Sequence, residues 1–278
     1  MKENNSRRPG DRRDRRFEGK REPRAAAPAP VEEEDECRLE GRNAVTEALR
    51  AGRTIDKIFI ADGEIDKGLQ RLAALAKEAG AVVVPVDRRK LDLMSTTHAH
   101  QGIIAQAAAH EYATVDDILE EAANRGEAPL IVICDELSDP HNLGAIMRSA
   151  ECAGAHGVII PKRRSVGLTA TVAKAAAGAM EYMKVARVTN INAAIAELKQ
   201  KGVWVYGADM DGSTYYETDL KGAVAIVMGS EGKGLSRLVE EKCDFRLSIP
   251  LYGKINSMNV SAAAAVLFCE AAKQRRAK

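Results

Sequence analysis

The chain has 278 residues, of which 45% are hydrophobic, so it is long enough for two domains with cores of ordinary size. Aromatic residues make up only 4%, which argues against an RNA-binding surface built from clustered aromatic side chains. The net charge of +1 neither indicates nor excludes a nucleic-acid partner. Because the N-terminus has no apolar signal core and no apolar run reaches membrane length, we expect a soluble cytoplasmic protein without a membrane partner.

The cysteines and histidines indicate neither disulfides nor a metal site. The five cysteines are scattered without a CxxC pair, which is typical of reduced thiols in a cytosolic protein. Most of them lie in apolar strand or helix patterns, so we expect buried thiols at Cys37, Cys134, Cys152, Cys243 and Cys269. No His, Cys and carboxylate cluster has metal-ligand spacing, and three histidines are close only in sequence: His98, His100 and His110. We therefore predict no metal.

Residues 1–36 predict a disordered tail. Residues 1–30 are rich in Arg, Pro and Gly and have almost no large apolar side chains, so they cannot bury a core. The acidic block VEEEDE follows at 31–36. The tail is either a solvated segment or a basic arm that attracts RNA by counterion release, in which case the acidic block could weaken the attraction.

Residues 37–111 alternate between helix and strand patterns, which predicts a compact α/β domain. In chain order, the expected elements are a helix over 41–52, a strand over 55–61, a helix over 69–80, a strand over 81–87, a short helix over 88–95 and a strand over 102–108. A connecting helix and linker are expected over 112–129.

Residues 130–278 predict a second, larger α/β domain. Strands and helices alternate, and strands such as IVIC and AIVM are apolar throughout, which indicates a mainly parallel sheet covered on both faces. Ligands of such sheets bind beyond the carboxyl ends of the strands. That rule indicates three loops, at 136–142, 229–234 and 250–257.

The three loops carry the polar residues of interest. In the first, Asn142 is expected to cap a helix, and Arg148 lies well off that helix's apolar stripe. The second, MGSEGKGL, lacks the GxxxxGK[ST] phosphate-loop pattern, but its three glycines permit close backbone approach around Glu231. In the third, Ser257 and Asn259 precede an alanine-rich helix.

Together the three loops resemble a known family. The segments SDPHNLGAIMRSAECAGA, VMGSEGKGL and IPLYGKINSMNVSAAAAVL occur in this order, each after a strand, and resemble the three motifs of the SpoU (TrmH) family of RNA ribose 2′-O-methyltransferases over about 130–272. The stretch from Arg38 to about His110 is similar to that family's small substrate-binding domain, which is itself similar to ribosomal protein L30e. The resemblance implies a SPOUT α/β fold tied in a deep trefoil knot, which few proteins have.

The resemblance also implies a chemistry, which is transfer of a methyl group from S-adenosylmethionine to a ribose 2′-hydroxyl by a homodimer. It assigns catalytic roles to Arg148, Asn142, Glu231, Ser257 and Asn259, and cofactor contacts to Gly207, Gly229, Ile249, Leu251 and Met258. RNA contacts are expected at Arg42, Asn43, Thr97, His98 and Gln101, although helix capping and ordinary loop polarity explain these residues equally well. An arginine is an awkward general base, because its guanidinium stays protonated; electrostatic stabilisation is the simpler role for Arg148.

Three functions remain open from the sequence. The leading hypothesis is 2′-O-methylation of a guanosine in 23S rRNA, or in a precursor of the large subunit. The second is the same reaction on tRNA, although tRNA-specific relatives typically carry terminal helical extensions in place of the L30e-like domain. The third is a ribosome-binding assembly factor that has lost catalysis, in which the motifs would be expected to decay; here all of the motif residues are present.

Overall fold

The computed structural model describes residues 37–63 and 66–276. The predicted tail and its acidic block, residues 1–36, lie outside the described residues. Within that part of the chain, no helix is both long and apolar enough to cross a membrane.

The first part of the chain forms a four-stranded sheet with the strand order β1-β4-β2-β3. Its β2–β3 pair is parallel, and β4 is antiparallel to both β1 and β2. The elements are β1 (Arg38–Glu40), α1 (Arg42–Arg50), β2 (Ile55–Ala61), α2 (Lys67–Glu78), β3 (Val82–Val86), α3 (Arg88–Met94) and β4 (Ile103–Ala107). The strand predicted over 55–61 has those bounds, whereas β1 was not predicted, because a three-residue edge strand has no periodic pattern of its own.

The second part forms a six-stranded sheet with the order β10-β8-β9-β5-β6-β7, in which every neighbouring pair is parallel. Its strands are β5 (Leu130–Cys134), β6 (Gly157–Pro161), β7 (Lys184–Val188), β8 (Trp204–Thr214), β9 (Val224–Met228) and β10 (Phe245–Ser248). Its helices are α4 (Val115–Asn124), α5 (Pro140–Cys152), α6 (Ala170–Ala176), α7 (Ile191–Gln200), α8 (Arg237–Glu240) and α9 (Val260–Arg276).

Both faces of the large sheet are covered by helices, as the apolar strands predict. One core contains side chains of α5, α6 and α9, and the other contains side chains of α4, α7 and α8. The α/β class and the mainly parallel sheet are therefore confirmed. The trefoil knot and the domain boundaries stay predictions.

Two local predictions were wrong. Helix α5 begins at Pro140, and its N-cap is Asp139, three residues before the expected cap; the Asp139 side chain accepts a hydrogen bond from the His141 amide at 2.9 Å. Proline suits a first helical position because it has no amide hydrogen to satisfy. Asn142 is therefore not the cap, and its side-chain amide is available for contacts outside the helix.

The second error concerns the cysteines. All five thiols are free, and Cys37 and Cys134 are buried, but Cys152 and Cys269 are exposed. Cys152 is the last residue of α5, and Cys269 lies on the outer face of α9, whose alanine-rich pattern gives little information about which side of the helix is covered.

A buried ion pair joins the two sheets. Asp56 on β2 and Arg187 on β7 form a 2.7 Å salt bridge, with only 2% and 5% of their side chains exposed. Tyr112 donates to Asp56 at 2.9 Å and accepts from the Leu168 amide at 2.9 Å. Burial raises the pKa of the Tyr112 phenol well above its usual value, so it remains a donor. A Cβ on Gly167 would lie 2.0 Å from Asp56 Oδ2, so only glycine leaves room for the carboxylate.

We predict that Asp56→Ala destabilises the protein by about 3–5 kcal/mol, because it leaves the Arg187 charge buried without a partner. Urea unfolding would measure the loss. The control is Glu241→Ala, which removes the exposed partner of Arg237 and should cost only about 0–1 kcal/mol. Equal losses in the two variants would contradict the prediction.

Candidate active site

A cavity of about 760 Å³ opens at the carboxyl ends of the strands in one half of the large sheet. This volume falls in the range of roughly 300–1,000 Å³ that is typical of small-molecule sites. The loop between β9 and α8 and the loop between β10 and α9 form its walls, together with the residues that follow Gly207 on β8. The cavity therefore lies at two of the three loops that the sequence indicates.

The glycines of the loop after β9 permit a tight turn. Ser230 and Gly234 exchange backbone hydrogen bonds of 2.9 and 3.0 Å across it. Gly232 and Gly234 have positive φ angles of 79° and 66°. A Cβ on Gly229 would lie 2.3 Å from the Gly234 carbonyl carbon, so any side chain there would force the loop open. The turn keeps this wall of the cavity thin.

Three side chains from the three loops meet in one hydrogen-bond network. Asn142 Nδ2 donates to Glu231 Oε1 at 2.5 Å, and Asn259 Nδ2 donates to the same oxygen at 3.1 Å. Asn259 Nδ2 also donates to Asn142 Oδ1 at 3.0 Å, and Asn142 Nδ2 donates to Asp139 Oδ2 at 3.0 Å. One carboxylate oxygen thus joins the start of α5, the glycine-rich loop and the start of α9.

Asn259 has a second function as the cap of α9. Its Oδ1 accepts from the Ser261 amide at 3.0 Å, the Ser261 hydroxyl at 2.6 Å and the Ala262 amide at 3.3 Å. The side-chain oxygen of Asn259 therefore caps the helix, while its side-chain nitrogen donates to the network. Behind the cap, α9 packs against α5 through small and apolar residues such as Ala264.

A carboxylate outside the predicted set also shapes this edge. Asp135, which directly follows β5 and is only 4% exposed, accepts a hydrogen bond from the Ser236 amide at 2.7 Å. It fixes the end of the glycine-rich loop to the central strand. The sequence signal that could have identified Asp135 is its position immediately after an all-apolar strand.

Four of the five predicted cofactor-contact residues line the cavity: Gly229, Ile249, Leu251 and Met258. The fifth, Gly207, does not line it, although the next residue, Ala208, does. A Cβ on Gly207 would lie 2.7 Å from the Leu235 side chain and 3.0 Å from the Cys243 sulfur. Its lack of a side chain is explained by packing beneath the cavity.

The predicted catalytic residues are only partly together. Asn142, Glu231 and Asn259 form the network, and Ser257 lines the cavity with an exposed side chain. Arg148 lies about two turns further along α5 than Asn142, on the exposed side of the helix. Within the described part of the chain, its guanidinium has no hydrogen-bond or ion-pair partner.

Comparisons with known proteins agree with this geometry. The model of the SpoU rRNA Methylase family matches residues 129–269, and a model described as RNA 2′-O ribose methyltransferase substrate binding matches residues 38–113. YacO of Bacillus subtilis, which is named as a TrmH family tRNA/rRNA methyltransferase, is 48% identical over 236 residues, covering 84% of this chain and 94% of YacO.

The chain belongs to the SpoU (TrmH) family. Membership makes it an RNA 2′-O-ribose methyltransferase that uses S-adenosylmethionine.

Two solved structures share the fold. AviRb from Streptomyces viridochromogenes, a SpoU methyltransferase in complex with AdoMet, has a TM-score of 0.54 at 20% identity, over 86% of this chain and 90% of AviRb. An AdoMet-bound rRNA methyltransferase from Sinorhizobium meliloti has a TM-score of 0.53 at 23% identity, over 86% of this chain and 88% of that protein.

In this SpoU protein, the predicted RNA-contact residues lie at the start of α1 and in the loop between α3 and β4. The Arg42 amide donates to Gln101 Oε1 and its Nε donates to the Gln101 carbonyl, both at 3.2 Å, while Arg42 also pairs with Asp66 at 2.6 Å. Asn43 and His98 are exposed, and neither side chain has a partner among the described residues. Arg42 and Gln101 therefore bind each other, whereas Asn43 and His98 face solvent.

Glu40, which was not predicted, holds the loop that carries Thr97 and His98. Its carboxylate accepts from the Ser95 hydroxyl at 2.6 Å, from the Thr96 amide at 2.8 Å and hydroxyl at 3.1 Å, and from the Thr97 amide and hydroxyl. The Thr97 hydroxyl is thus committed to the loop itself. His98 adopts an unusual φ of 53° in this loop, which the Glu40 contacts stabilise.

The far end of this loop is fixed by a histidine. His100 is 4% exposed; its Nε2 is 2.9 Å from Asp92 Oδ1, and its Nδ1 accepts from the Gly102 amide. Among the residues that the structure describes, no group of three His, Cys, Asp or Glu side chains is placed to hold a metal ion.

The hydrogen bonds to Glu40 predict a pH dependence of stability. Partial burial alone would raise the pKa of Glu40, but the bonds from Ser95, Thr96 and Thr97 outweigh it and lower the pKa from 4.5 to about 2. The folded pKa is depressed, so Glu40 stabilises the fold above pH about 4.5, and this contribution is lost as the pH falls towards about 2.

Glu40→Gln should therefore flatten the dependence of the free energy of unfolding on pH between about 5 and 2, measured by urea unfolding at each pH. Glu47→Gln, at an exposed position on α1 paired only with Arg50, is the control and should leave the slope unchanged. If Glu40→Gln keeps the wild-type slope, these hydrogen bonds do not lower the pKa of Glu40 in the folded protein.

Proposed function

We propose that the protein methylates the 2′-hydroxyl of a guanosine in 23S rRNA, with S-adenosylmethionine bound in the 760 Å³ cavity. The observation that carries the proposal is the network of Asn142, Glu231 and Asn259 at the rim of this cavity. The substrate-binding match over residues 38–113 favours ribosomal RNA, because tRNA-specific relatives typically have terminal helices in its place. YacO is named for both tRNA and rRNA, so tRNA is the second candidate.

The cavity suits the cofactor in shape and chemistry. The backbone approaches closely at Gly229, where a Cβ has no room, and Ile249, Leu251 and Met258 provide apolar surface. Such a cavity can hold an adenosine between backbone and apolar side chains, with polar groups confined to one rim. When bound, S-adenosylmethionine supplies a methyl group that is already activated by its sulfonium.

The protein's own contribution is to position and polarise the ribose hydroxyl. Oε1 of Glu231 accepts hydrogen bonds from the side-chain amides of both asparagines. Oε2 is then left to accept a hydrogen bond from the 2′-hydroxyl of the ribose. The exposed hydroxyl of Ser257 on the cavity wall can bind an adjacent ribose oxygen. Fixing donor and acceptor in line is the larger part of the required catalysis, because the methyl group needs no further activation.

Arg148 acts as a permanent cation, since a guanidinium does not lose its proton in proteins. It can bind the phosphate beside the target ribose and stabilise the negative charge that develops on the 2′-oxygen. In a single chain it lies away from the network, on the outer face of α5.

A homodimer would resolve this separation. The outer faces of α5 and α9 expose small or uncharged residues around Arg148, including Cys152, Ala262 and Cys269. Small side chains permit two copies of such a face to approach closely. A second copy that binds this face contacts Arg148. Each site is then completed by residues of both copies across the two-fold interface.

Gly229→Ala is expected to weaken S-adenosylmethionine binding by at least about tenfold, equivalent to about 1.4 kcal/mol, because the added Cβ displaces the cavity wall. Isothermal titration calorimetry would measure the dissociation constant. Gly222→Ala is the matched control, because a Cβ there meets nothing within 4 Å and should change nothing. Equal affinities in both variants would show that the cofactor does not bind in this cavity.

Methyl transfer from labelled S-adenosylmethionine tests the substrate. We would offer undermethylated 23S rRNA, 16S rRNA and tRNA separately, and expect alkali-resistant label at one guanosine of 23S rRNA only. Arg148→Ala should lower this transfer by about 10²–10³-fold without unfolding the protein, whereas Arg237→Ala, at an exposed site on α8, should not.

Label in tRNA alone would support the proposed methyl transfer but contradict 23S rRNA as its substrate. Wild-type turnover in Arg148→Ala would remove Arg148 from the mechanism.

A further inference from the structure

The segment that connects β6 to α6, residues 162–169, has a function that the site described above does not explain. It begins with three consecutive basic residues: Lys162, Arg163 and Arg164. It lies at the carboxyl edge of the large sheet, where β6 is the neighbour of β5 and β5 is the neighbour of β9. The segment thus follows the same edge as the cavity, about two strand spacings, or roughly 10 Å, from β9.

The segment is fixed to the loop that leads into α5. The Val166 amide and the Ser165 hydroxyl both donate to the Leu137 carbonyl at 2.8 Å. Arg164 pairs with Glu136 at 2.7 Å. Both of these charged residues have φ angles of 57°, a conformation that non-glycine residues rarely adopt and that their surroundings must stabilise.

The segment is also fixed to the small sheet. Lys57 on β2 donates to the Ser165 carbonyl at 3.4 Å, and Arg187, the partner of Asp56, donates to the Lys162 carbonyl at 3.4 Å. The Lys162 amide donates to the Val188 carbonyl at 2.8 Å. Residues 162–165 therefore form a bridge that contacts the small sheet through Lys57, strand β7 through Arg187 and Val188, and the loop before α5 through Leu137.

The positive charge on this bridge is not balanced locally. Glu136 compensates Arg164, but neither Lys162 nor Arg163 has a side-chain hydrogen bond or ion pair within the described ranges. Arg163 is exposed, and Lys162 Nζ lies 3.4 Å from where a Cβ on Gly80 would be, beside the C-terminal end of α2. Lys57 adds a further cation at the same place.

There is also space beside the bridge. A cavity of about 270 Å³ opens between the two sheets, with Pro140, Val166 and Thr169 on one side and Phe59, Ile104 and Gln106 on the other. Val166 and Thr169 belong to the same segment, so the gap lies at the C-terminal end of the segment that carries Lys162 and Arg163.

We propose that Lys162 and Arg163 bind phosphates of the substrate RNA next to the methylated nucleotide. The inference rests on the proposed function insofar as the substrate is a polyribonucleotide. Phosphates fit these groups because each cation placed at a phosphate releases condensed counterions. Holding both on a backbone fixed from two sides reduces the entropy lost when the RNA binds and sets the register of the target ribose.

The test compares two double variants that lose the same charge. Lys162→Ala/Arg163→Ala removes the bridge cations, and Lys221→Ala/Lys242→Ala removes two exposed lysines that precede β9 and β10 at the opposite, amino edge of the sheet. The dissociation constant for undermethylated 23S rRNA is measured for wild type and both variants over a series of salt concentrations.

In the bridge variant, the slope of log K against log salt should decrease in magnitude by roughly 1.5, since each lost phosphate contact removes about 0.7–0.9. Affinity at low salt should fall at least about tenfold, while S-adenosylmethionine affinity and thermal stability stay at wild-type values. Lys162→Arg/Arg163→Lys keeps both charges and should restore the slope. The amino-edge variant should resemble wild type.

A bridge variant whose slope and affinity match those of the amino-edge variant would overturn the proposal while leaving the proposed function intact. Wild-type protein that neither bound nor methylated any of the RNAs would instead overturn both. Loss of thermal stability in the alanine variant together with an unaltered slope in Lys162→Gln/Arg163→Gln would assign these residues a structural role only.

Discussion

The edge of the sheet that carries the candidate site depends on one carboxylate oxygen. Glu231 Oε1 accepts hydrogen bonds from Asn142 and Asn259, which are 117 residues apart in the chain and bond each other directly. Hydrogen bonds to a charged acceptor are roughly twice as strong as those between neutral groups, so one oxygen can hold three loops that share no sheet pairing. Without it, the glycine-rich loop would lose its side-chain link to the starts of α5 and α9, which would keep their caps, Asp139 and Asn259, and their direct Asn142–Asn259 hydrogen bond.

Small residues make this arrangement sterically possible. Gly229 allows the loop backbone to fold against Gly234, and Gly207 leaves space beneath for Leu235 and Cys243. On α5, a Cβ on Gly144 would lie 2.4 Å from the Ala175 side chain, so α5 and α6 approach at glycine and alanine. The alanine-rich start of α9 likewise has little side-chain volume. Close backbone approach requires that side-chain volume be absent at each contact.

The relation between the two sheets is a second constraint. Methyl transfer needs a ribose hydroxyl placed to within a fraction of an ångström, but most contacts with a large RNA are made elsewhere on the protein. The buried pair of Asp56 and Arg187 links the small sheet directly to the large one in this chain. The charged bridge at the same junction is well placed to guide RNA from one sheet to the other, because it contacts both the small sheet and the loop before α5.

The sequence alone determined the α/β class, the parallel large sheet, the strand at 55–61 and, through the family resemblance, several residues that line the cavity, including Gly229, Ile249, Leu251 and Met258. The class, the sheet and the strand follow from local patterns, because apolar runs define strands, and loops after parallel strands share one edge; the individual cavity residues follow from the resemblance of the three motifs to the family. The contacts of Glu40, the pairing of Asp56 with Arg187, the packing role of Gly207 and the exposure of Cys269 were decided only by the tertiary structure. Each depends on partners far apart in the chain, or on which face of a helix is left uncovered. Residue spacing within one segment contains neither kind of information.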